Sequence, residues 1–381
     1  MRRAALVLAG CGALVLAAAA AAAHPEIAVG GFPTGITLDP ATNTIYVGNG
    51  TTGTVSVIDG RRCNAVVAAG CRRRASIATA GVDPIGIAVD AASGTLFVAN
   101  ASGTVAVVRD RRVRRSVRVG LDPQFLAVDE RTHTVYVANS GSNTVSVLDG
   151  RACCARVRAT VPVGPNPFTI AINERTSSVY VTDLGAHTVS VLDGRTCNAR
   201  DVSGCRRRPV ALNVGETPGG IAVDSRTNTV YVTGEATSDV SVIDGRSCNA
   251  RVTSGCRRRP VHVLAGAGAR GIAVDEATHT VYVANTAADT VSVIDGATCN
   301  ASVHTGCRQH APQAPVGLSP RRVAVDEVTS TVYVTNAGSN TVTILDGRTC
   351  NGRARSGCGA VAAGGAGGGA PAATTTTGNV A

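Results

Sequence analysis

Cysteine and arginine carry most of the reactive chemistry in this 381-residue chain, which has 13 cysteines and no lysine. Ten cysteines form five pairs at one spacing, C-x7-C: Cys63/Cys71, Cys197/Cys205, Cys248/Cys256, Cys299/Cys307 and Cys350/Cys358. Even numbers of cysteines at fixed local spacing in an exported chain read as disulfides. They are expected to act as staples on the outer loops. Each such loop stabilises by about 2–3 kcal/mol on the chain-entropy model. Zinc is the poorer reading, because each pair lacks a companion histidine and a structural zinc takes four ligands. Cys153 and Cys154 are adjacent, in a unit shortened by the seven residues that separate the cysteines elsewhere. A loop deletion that kept both cysteines accounts for them, leaving a vicinal disulfide or two thiols.

Arginines follow the second cysteine in runs: Arg72, Arg73 and Arg74; Arg206, Arg207 and Arg208; Arg257, Arg258 and Arg259. Equivalent loops would gather them into a basic rim, the main source of the formal net charge of +10. Such a rim either holds an anionic cell-envelope polymer or is a solvated edge. Nucleic acid is disfavoured, since no aromatics interleave with the arginines for base stacking. A second set lies where units differ from one another: Asp83, Asp122, Gln124, Phe168, Arg270, Arg321 and Arg322. These are expected to bind a small polar or anionic ligand, with the cationic side of the site facing an anionic and apolar side. His187, Asp183, Glu235 and Asp239 are weighed as metal ligands and set aside. No Ser-His-Asp or Cys-His arrangement stands out, so the expectation includes no catalytic residue, metal or cofactor.

The elements that position these residues repeat. The phrase from Gly271 to Cys307, GIAVDEATHTVYVANTAADTVSVIDGATCNASVHTGC, is written seven times with variations. Three runs alternate apolar with small or polar residues, the period-two signature of half-buried strands. A fourth run follows the cysteine loop, as in Val261–Leu264. The first run ends at Asp39, Asp90, Asp129, Asn173, Asp224, Asp275 and Asp326, mostly 51 residues apart. Units of this length with four short strands predict an all-β, seven-bladed β-propeller of four-stranded antiparallel blades. Between units stands Gly-x-x-Pro, expected to cross to the next inner strand with the glycine in a left-handed conformation. The last unit lacks a fourth strand, whereas Glu26–Val29 precedes the first. That strand is predicted to pair with Thr341–Asp346 and close the ring.

The second strands read YVGN, FVAN, YVAN, YVTD, YVTG, YVAN and YVTN, starting at Tyr46, Phe97, Tyr136, Tyr180, Tyr231, Tyr282 and Tyr333. They resemble the YVTN-repeat β-propellers, a family that includes YncE-like periplasmic and surface-layer proteins. The resemblance covers Pro25 to about Cys358 and implies the fold; the superfamily contains both binding modules and enzymes. An aromatic repeated in every unit fills a packing niche between blades rather than a ligand site.

Residues 1–23 combine Arg2-Arg3 with an apolar run ending in Ala21-Ala22-Ala23, the pattern of a cleaved signal peptide. LAGC at Leu8–Cys11 offers a lipid anchor at Cys11 as the alternative. The propeller is expected over 24–358 and a Gly/Ala/Thr tail over 359–381. The chain is therefore expected to be a secreted or envelope-associated monomer. Its leading reading is a non-catalytic binding scaffold for a small ligand or protein; the alternative is a propeller enzyme (lactonase, lyase or quinoprotein-type dehydrogenase) acting at the channel mouth.

Overall fold

The computed structural model describes residues 24–71, 76–79, 81, 83–151 and 155–359. The expected leader, nearly all of the tail, Arg72–Arg74 and the Cys153-Cys154 pair lie outside the described residues. The chain folds into seven four-stranded antiparallel sheets. The inner strands are Pro33–Asp39, Pro84–Asp90, Pro123–Asp129, Pro167–Asn173, Pro218–Asp224, Ala269–Asp275 and Pro320–Asp326. Each lies beside the next, and the seventh lies beside the first, so the ring is closed. Closure comes from Glu26–Ala28, which is the outermost strand of the last blade and pairs antiparallel with its third strand, Thr341–Asp346, Ile27 opposite Val342. In the terms used below, blade 1 begins at Pro33 and blade 7 at Pro320.

Alternation locates the strands, but it understates their burial. The second strands of blades 3 to 7, such as Thr134–Asn139 and Thr280–Asn285, are buried at all six positions. Blades stack face to face, so both surfaces of a middle strand meet protein. Outer strands face solvent, and Arg112–Arg118 buries only Val117.

The core sits in the seams between blades. Tyr136, Val145 and Val147 of blade 3 pack with Ile170, Val181, Cys197 and Cys205 of blade 4. Each fully buried tyrosine has a hydroxyl that needs a partner. Tyr136 donates to the carbonyl of Cys197, Tyr180 to Cys248, Tyr231 to Cys299 and Tyr282 to Cys350, at 2.7–2.8 Å. Tyr333 donates to Cys63 at 2.8 Å across the ring closure. The repeated tyrosine is thus a packing residue that also holds the neighbouring blade's cysteine loop.

All five C-x7-C pairs are disulfides, Cys63–Cys71, Cys197–Cys205, Cys248–Cys256, Cys299–Cys307 and Cys350–Cys358, with Cα–Cα separations of 4.6–4.8 Å. They lie where expected, in the loops after the third strands, but deeper than an outer staple would. Both members of every pair are buried, even Cys71 and Cys256, which sit beside exposed or undescribed arginines. Cys71 packs with Cys63, Ile58 and Tyr333, and Cys256 with Cys248, Tyr180 and Ile243. The reason is the tyrosine contact, which draws each loop down into the seam, so the sulfurs are core atoms and line no part of the channel mouth.

The crossover differs from expectation in one respect. The left-handed residue is the one just before the inner strand: Phe32, Asp83, Asp122, Asn166, Thr217, Gly268 and Ser319 all have φ between 48° and 71°. The glycine of Gly-x-x-Pro chiefly serves close approach. A Cβ on Gly120 or Gly317 would stand 2.6–2.7 Å from the side chain of Asn139 or Asn336, the last residue of the second strand.

Candidate functional site

The inner strands start at the mouth of the central channel, so their first residues converge there. Asp83, Gln124, Phe168, Arg270, Arg321 and Arg322 line one cavity of about 220 Å³ together with Phe32, Thr34, Ile85 and Phe125. Asp122 accepts a 2.7 Å hydrogen bond from Gln124 Nε2 at the exposed edge of this set.

Arg322 dominates the geometry. It is 8% exposed, although it carries a full charge. From blade 7 its guanidinium lies 3.8 Å from the ring centroid of Phe125 in blade 3 and 5.2 Å from that of Phe168 in blade 4. Its Nη2 donates to Thr169 Oγ1 at 3.4 Å and its Nη1 to the Arg321 carbonyl at 3.3 Å. The side chain therefore crosses the channel. Cation–π stacking on two edge-to-face phenyl rings, with centroids 5.2 Å apart, offsets part of the lost hydration. Arg321 stacks on Phe32 at 5.1 Å, and Arg270 on Phe168 at 5.2 Å. The expected division into a cationic side and an apolar side is corrected, because each arginine is seated on a phenylalanine.

One carboxylate answers the three guanidiniums. Arg270 Nη1 donates to both Glu235 oxygens, at 2.9 and 3.1 Å. Burial, reinforced by Arg270 and Arg321, pulls the Arg322 pKa well below its ordinary value. Arg321 shifts the same way through burial and then Arg270, with Glu235 opposing. Arginine stays protonated regardless, so the shifts express a cost of holding like charges together that a bound anion relieves. The Nε atoms of both are buried without a hydrogen-bond partner among the described residues.

Sequence reasoning missed Phe32, Phe125 and the role of Glu235. A signal was present: the chain has four phenylalanines. Phe97 takes the tyrosine position, and the other three all stand within two residues of a crossover proline.

Other candidates are held elsewhere. Asp183 is buried and accepts from Thr188 and Ser190. His187 Nδ1 accepts from the Thr217 backbone N–H, and Asp239 pairs with His262 at 3.0 Å. With Glu235 on Arg270, the four residues weighed as a metal set are engaged separately. Arg206–Arg208 and Arg257–Arg259 are exposed at the outer edge, beside their disulfide loops. Turn histidines His133 and His279 also bridge blades, with Nδ1 2.8 Å from Asp90 and 3.0 Å from Asp224.

The fold and this mouth define a seven-bladed propeller with a cationic, aromatic-lined channel site. The chain belongs to the family described as lactonase, 7-bladed beta-propeller, whose model matches residues 110–357. Among solved structures it is similar to hydrazine synthase from Kuenenia stuttgartiensis, with 18% identity, a TM-score of 0.68 and coverage of 83% of this chain and 95% of that one. It is also similar to a catalytically inactive variant of virginiamycin B lyase from Staphylococcus aureus with quinupristin, at 10% identity and TM-score 0.61, covering 84% and 97%. At these identities the two likenesses show the fold alone. Comparison with curated proteins finds no match. Family membership overturns the expected non-catalytic scaffold and favours the enzyme alternative. The site at the mouth is built chiefly from arginine and phenylalanine.

Proposed function

We propose that this chain is a propeller hydrolase that opens a small lactone carrying an anionic group at the channel mouth. The observation that carries the reading is the convergence of Arg270, Arg321 and Arg322 on one phenylalanine-lined cavity, with Glu235 as the one carboxylate paired to them among the described residues. Three guanidiniums face two carboxylates, Glu235 and Asp83, so the site keeps a positive excess and selects an anion. Rings of Phe32, Phe125 and Phe168 suit the carbon body of a cyclic ester. Ring opening needs a base, a place for oxyanion charge and a proton for the leaving oxygen. Asp83 lines the cavity, and its carboxylate has no hydrogen-bond partner among the described residues. It takes a proton from the attacking water, Arg270 and Arg321 stabilise the tetrahedral oxyanion, and the same proton returns to the departing alkoxide. The products are a hydroxyl and a second anionic group, a carboxylate, with the water's other proton released to solvent.

Asp122, Gln124 and Phe168 complete the proposed site as its outer edge and floor. The YVTN-type phrase and the five disulfides support a narrower placement among exported propellers, with residues 1–23 as a signal peptide, 24–358 as the catalytic ring and 359–381 as a tail. The partner is a small molecule.

The test is a pH-stat assay over a panel of lactones with and without a carboxylate or phosphate group. An anionic lactone is hydrolysed, Asp83→Asn lowers kcat by about 10²–10⁴, and Arg322→Gln raises KM chiefly for anionic substrates. Hydrolysis no faster than in buffer across the panel sinks the reading, and so does full activity in Asp83→Asn.

A further inference from the structure

Blade 4 departs from its neighbours at two positions that meet. In blades 1, 3, 6 and 7 the second strand ends in Asn49, Asn139, Asn285 or Asn336. Each amide donates to two third-strand hydroxyls at 2.8–3.1 Å. In blades 6 and 7 such a hydroxyl keeps its own proton for the outer strand: Thr290 donates to Gln313 Oε1 at 2.7 Å and Thr343 to Glu26 Oε1 at 3.2 Å. Blade 4 has Asp183 in place of the asparagine. A carboxylate only accepts, so Thr188 and Ser190 turn their protons inward, at 3.1 and 2.7 Å. Toward the outer strand they now present acceptor oxygens. Ser190 Oγ also accepts from the Gly164 backbone N–H at 3.3 Å, which leaves one lone pair.

The polarity is reversed, and the outer-strand partner is missing. The residue opposite Ser190 is Ala211, where blade 5 has His262, blade 6 Gln313 and blade 7 Glu26. Blade 5 shows what an acceptor at this place takes: Asp239 there is met by His262. In blade 4 the space is a groove of about 600 Å³ with Thr188, Ser190 and Ala211 in its lining and Arg206–Arg208 along one wall. Asp183 is fully buried beneath them; its Oδ1 has no hydrogen-bond partner among the described residues, and neither do the equivalent oxygens of Asn49, Asn139 and Asn336. What sets blade 4 apart is that the Thr188 and Ser190 hydroxyls, their protons turned to Asp183, offer the groove acceptors. A bare cation is opposed by the arginines, and a bare anion leaves the carboxylate unanswered.

We propose that this groove binds a small zwitterion, its ammonium group donating to the Thr188 and Ser190 oxygens above Asp183 and its carboxylate facing Arg206–Arg208. The site is separate from the channel mouth and does not depend on the lactonase reading.

Calorimetric titration with glycine, 4-aminobutyrate and 6-aminohexanoate uses chain length as a ruler; methylammonium and acetate are the single-charge controls. At least one zwitterion binds about tenfold or more tighter than both controls. Asp183→Asn restores the polarity of the other blades and lowers that affinity at least about tenfold. Ala211→Gln fills the groove as Gln313 does in blade 6 and does the same, while Arg322→Gln at the mouth leaves it unchanged. Thermal melts of each variant separate lost binding from lost fold. Absence of binding in the wild type overturns the proposal, as does equal binding of the controls or unchanged affinity in folded Asp183→Asn.

Discussion

Residue by residue, the most consequential departure from the repeat is a single atom exchange, amide nitrogen for carboxylate oxygen, at Asp183. Burial raises its pKa from 3.8 to about 6, against the lowering effects of Ser190, Thr188 and the Gly164 N–H. The folded state thus binds a proton more tightly than the unfolded chain. Stability from this group is fully present below pH 3.8 and is lost as pH rises through about 6. The stability at stake is at most about 3 kcal/mol. Asp183→Asn keeps both hydroxyl contacts with reversed polarity and removes the ionisation. It is expected to be more stable than wild type at pH 8, with the advantage shrinking toward pH 4. Chemical denaturation at the two pH values measures this, and an equal difference at both rejects the assignment. The identity of Asp183 as an outlier was legible in the sequence, where YVTD stands among YVAN and YVTN. Its burial was not, because the last position of a strand gives no indication of what closes over it.

At the element scale, strands and disulfide loops depend on each other across the seams. Each tyrosine hydroxyl that reaches a cysteine carbonyl ties one blade's middle strand to the next blade's loop, and the Thr134 hydroxyl accepts from Ala199 N–H at 2.8 Å in the same seam. Tyr282→Phe removes only an oxygen, yet it leaves the buried Cys350 carbonyl without that donor. A cost of about 1–2 kcal/mol follows, the penalty of an unsatisfied buried acceptor. Tyr46→Phe should cost less, because the second unit has no cysteine loop and Tyr46 is only half-buried. Paired denaturation curves compare them; equal losses would show that the hydroxyl contact adds nothing beyond packing. Strand number, order and disulfide pairing were readable from spacing, since both are local and repeated. The burial of Cys71 and Cys256 was not, because it depends on a tyrosine from another blade. Nor was the left-handed residue just before the inner strand in every blade, because Phe32, Thr217 and Ser319 carry no glycine-like signal.

For the whole molecule, the same closure that ends the sheet edges also builds the mouth. Glu26–Ala28 completes the last blade, and Phe32, a short step along the chain, stacks under Arg321 of that blade. Convergence of distant residues on the axis is why the site was only partly legible. Arg270, Arg321 and Arg322 announced themselves as unit-specific residues, but Arg322 meeting Phe125 and Phe168 depends on seven blades bending the chain into a circle. The ring thus couples stability to the site. Ile27 is 1% exposed and packs with Val342, Ile344 and Ile45, joining the first and last blades. Ile27→Ala leaves a cavity in this latch and costs about 2–5 kcal/mol, within the range for large-to-small core changes. Ile27→Asp buries an unpaired charge there and should release the strand altogether, exposing Thr341–Asp346 as a sheet edge. The aspartate variant is then expected to self-associate in gel filtration and to weaken anionic-ligand binding at the mouth, because Phe32 no longer fixes Arg321. The alanine variant keeps both properties at temperatures below its melt. If Ile27→Asp remains monomeric and binds as wild type does, the terminal strand is a passive cover and the ring holds its shape without it.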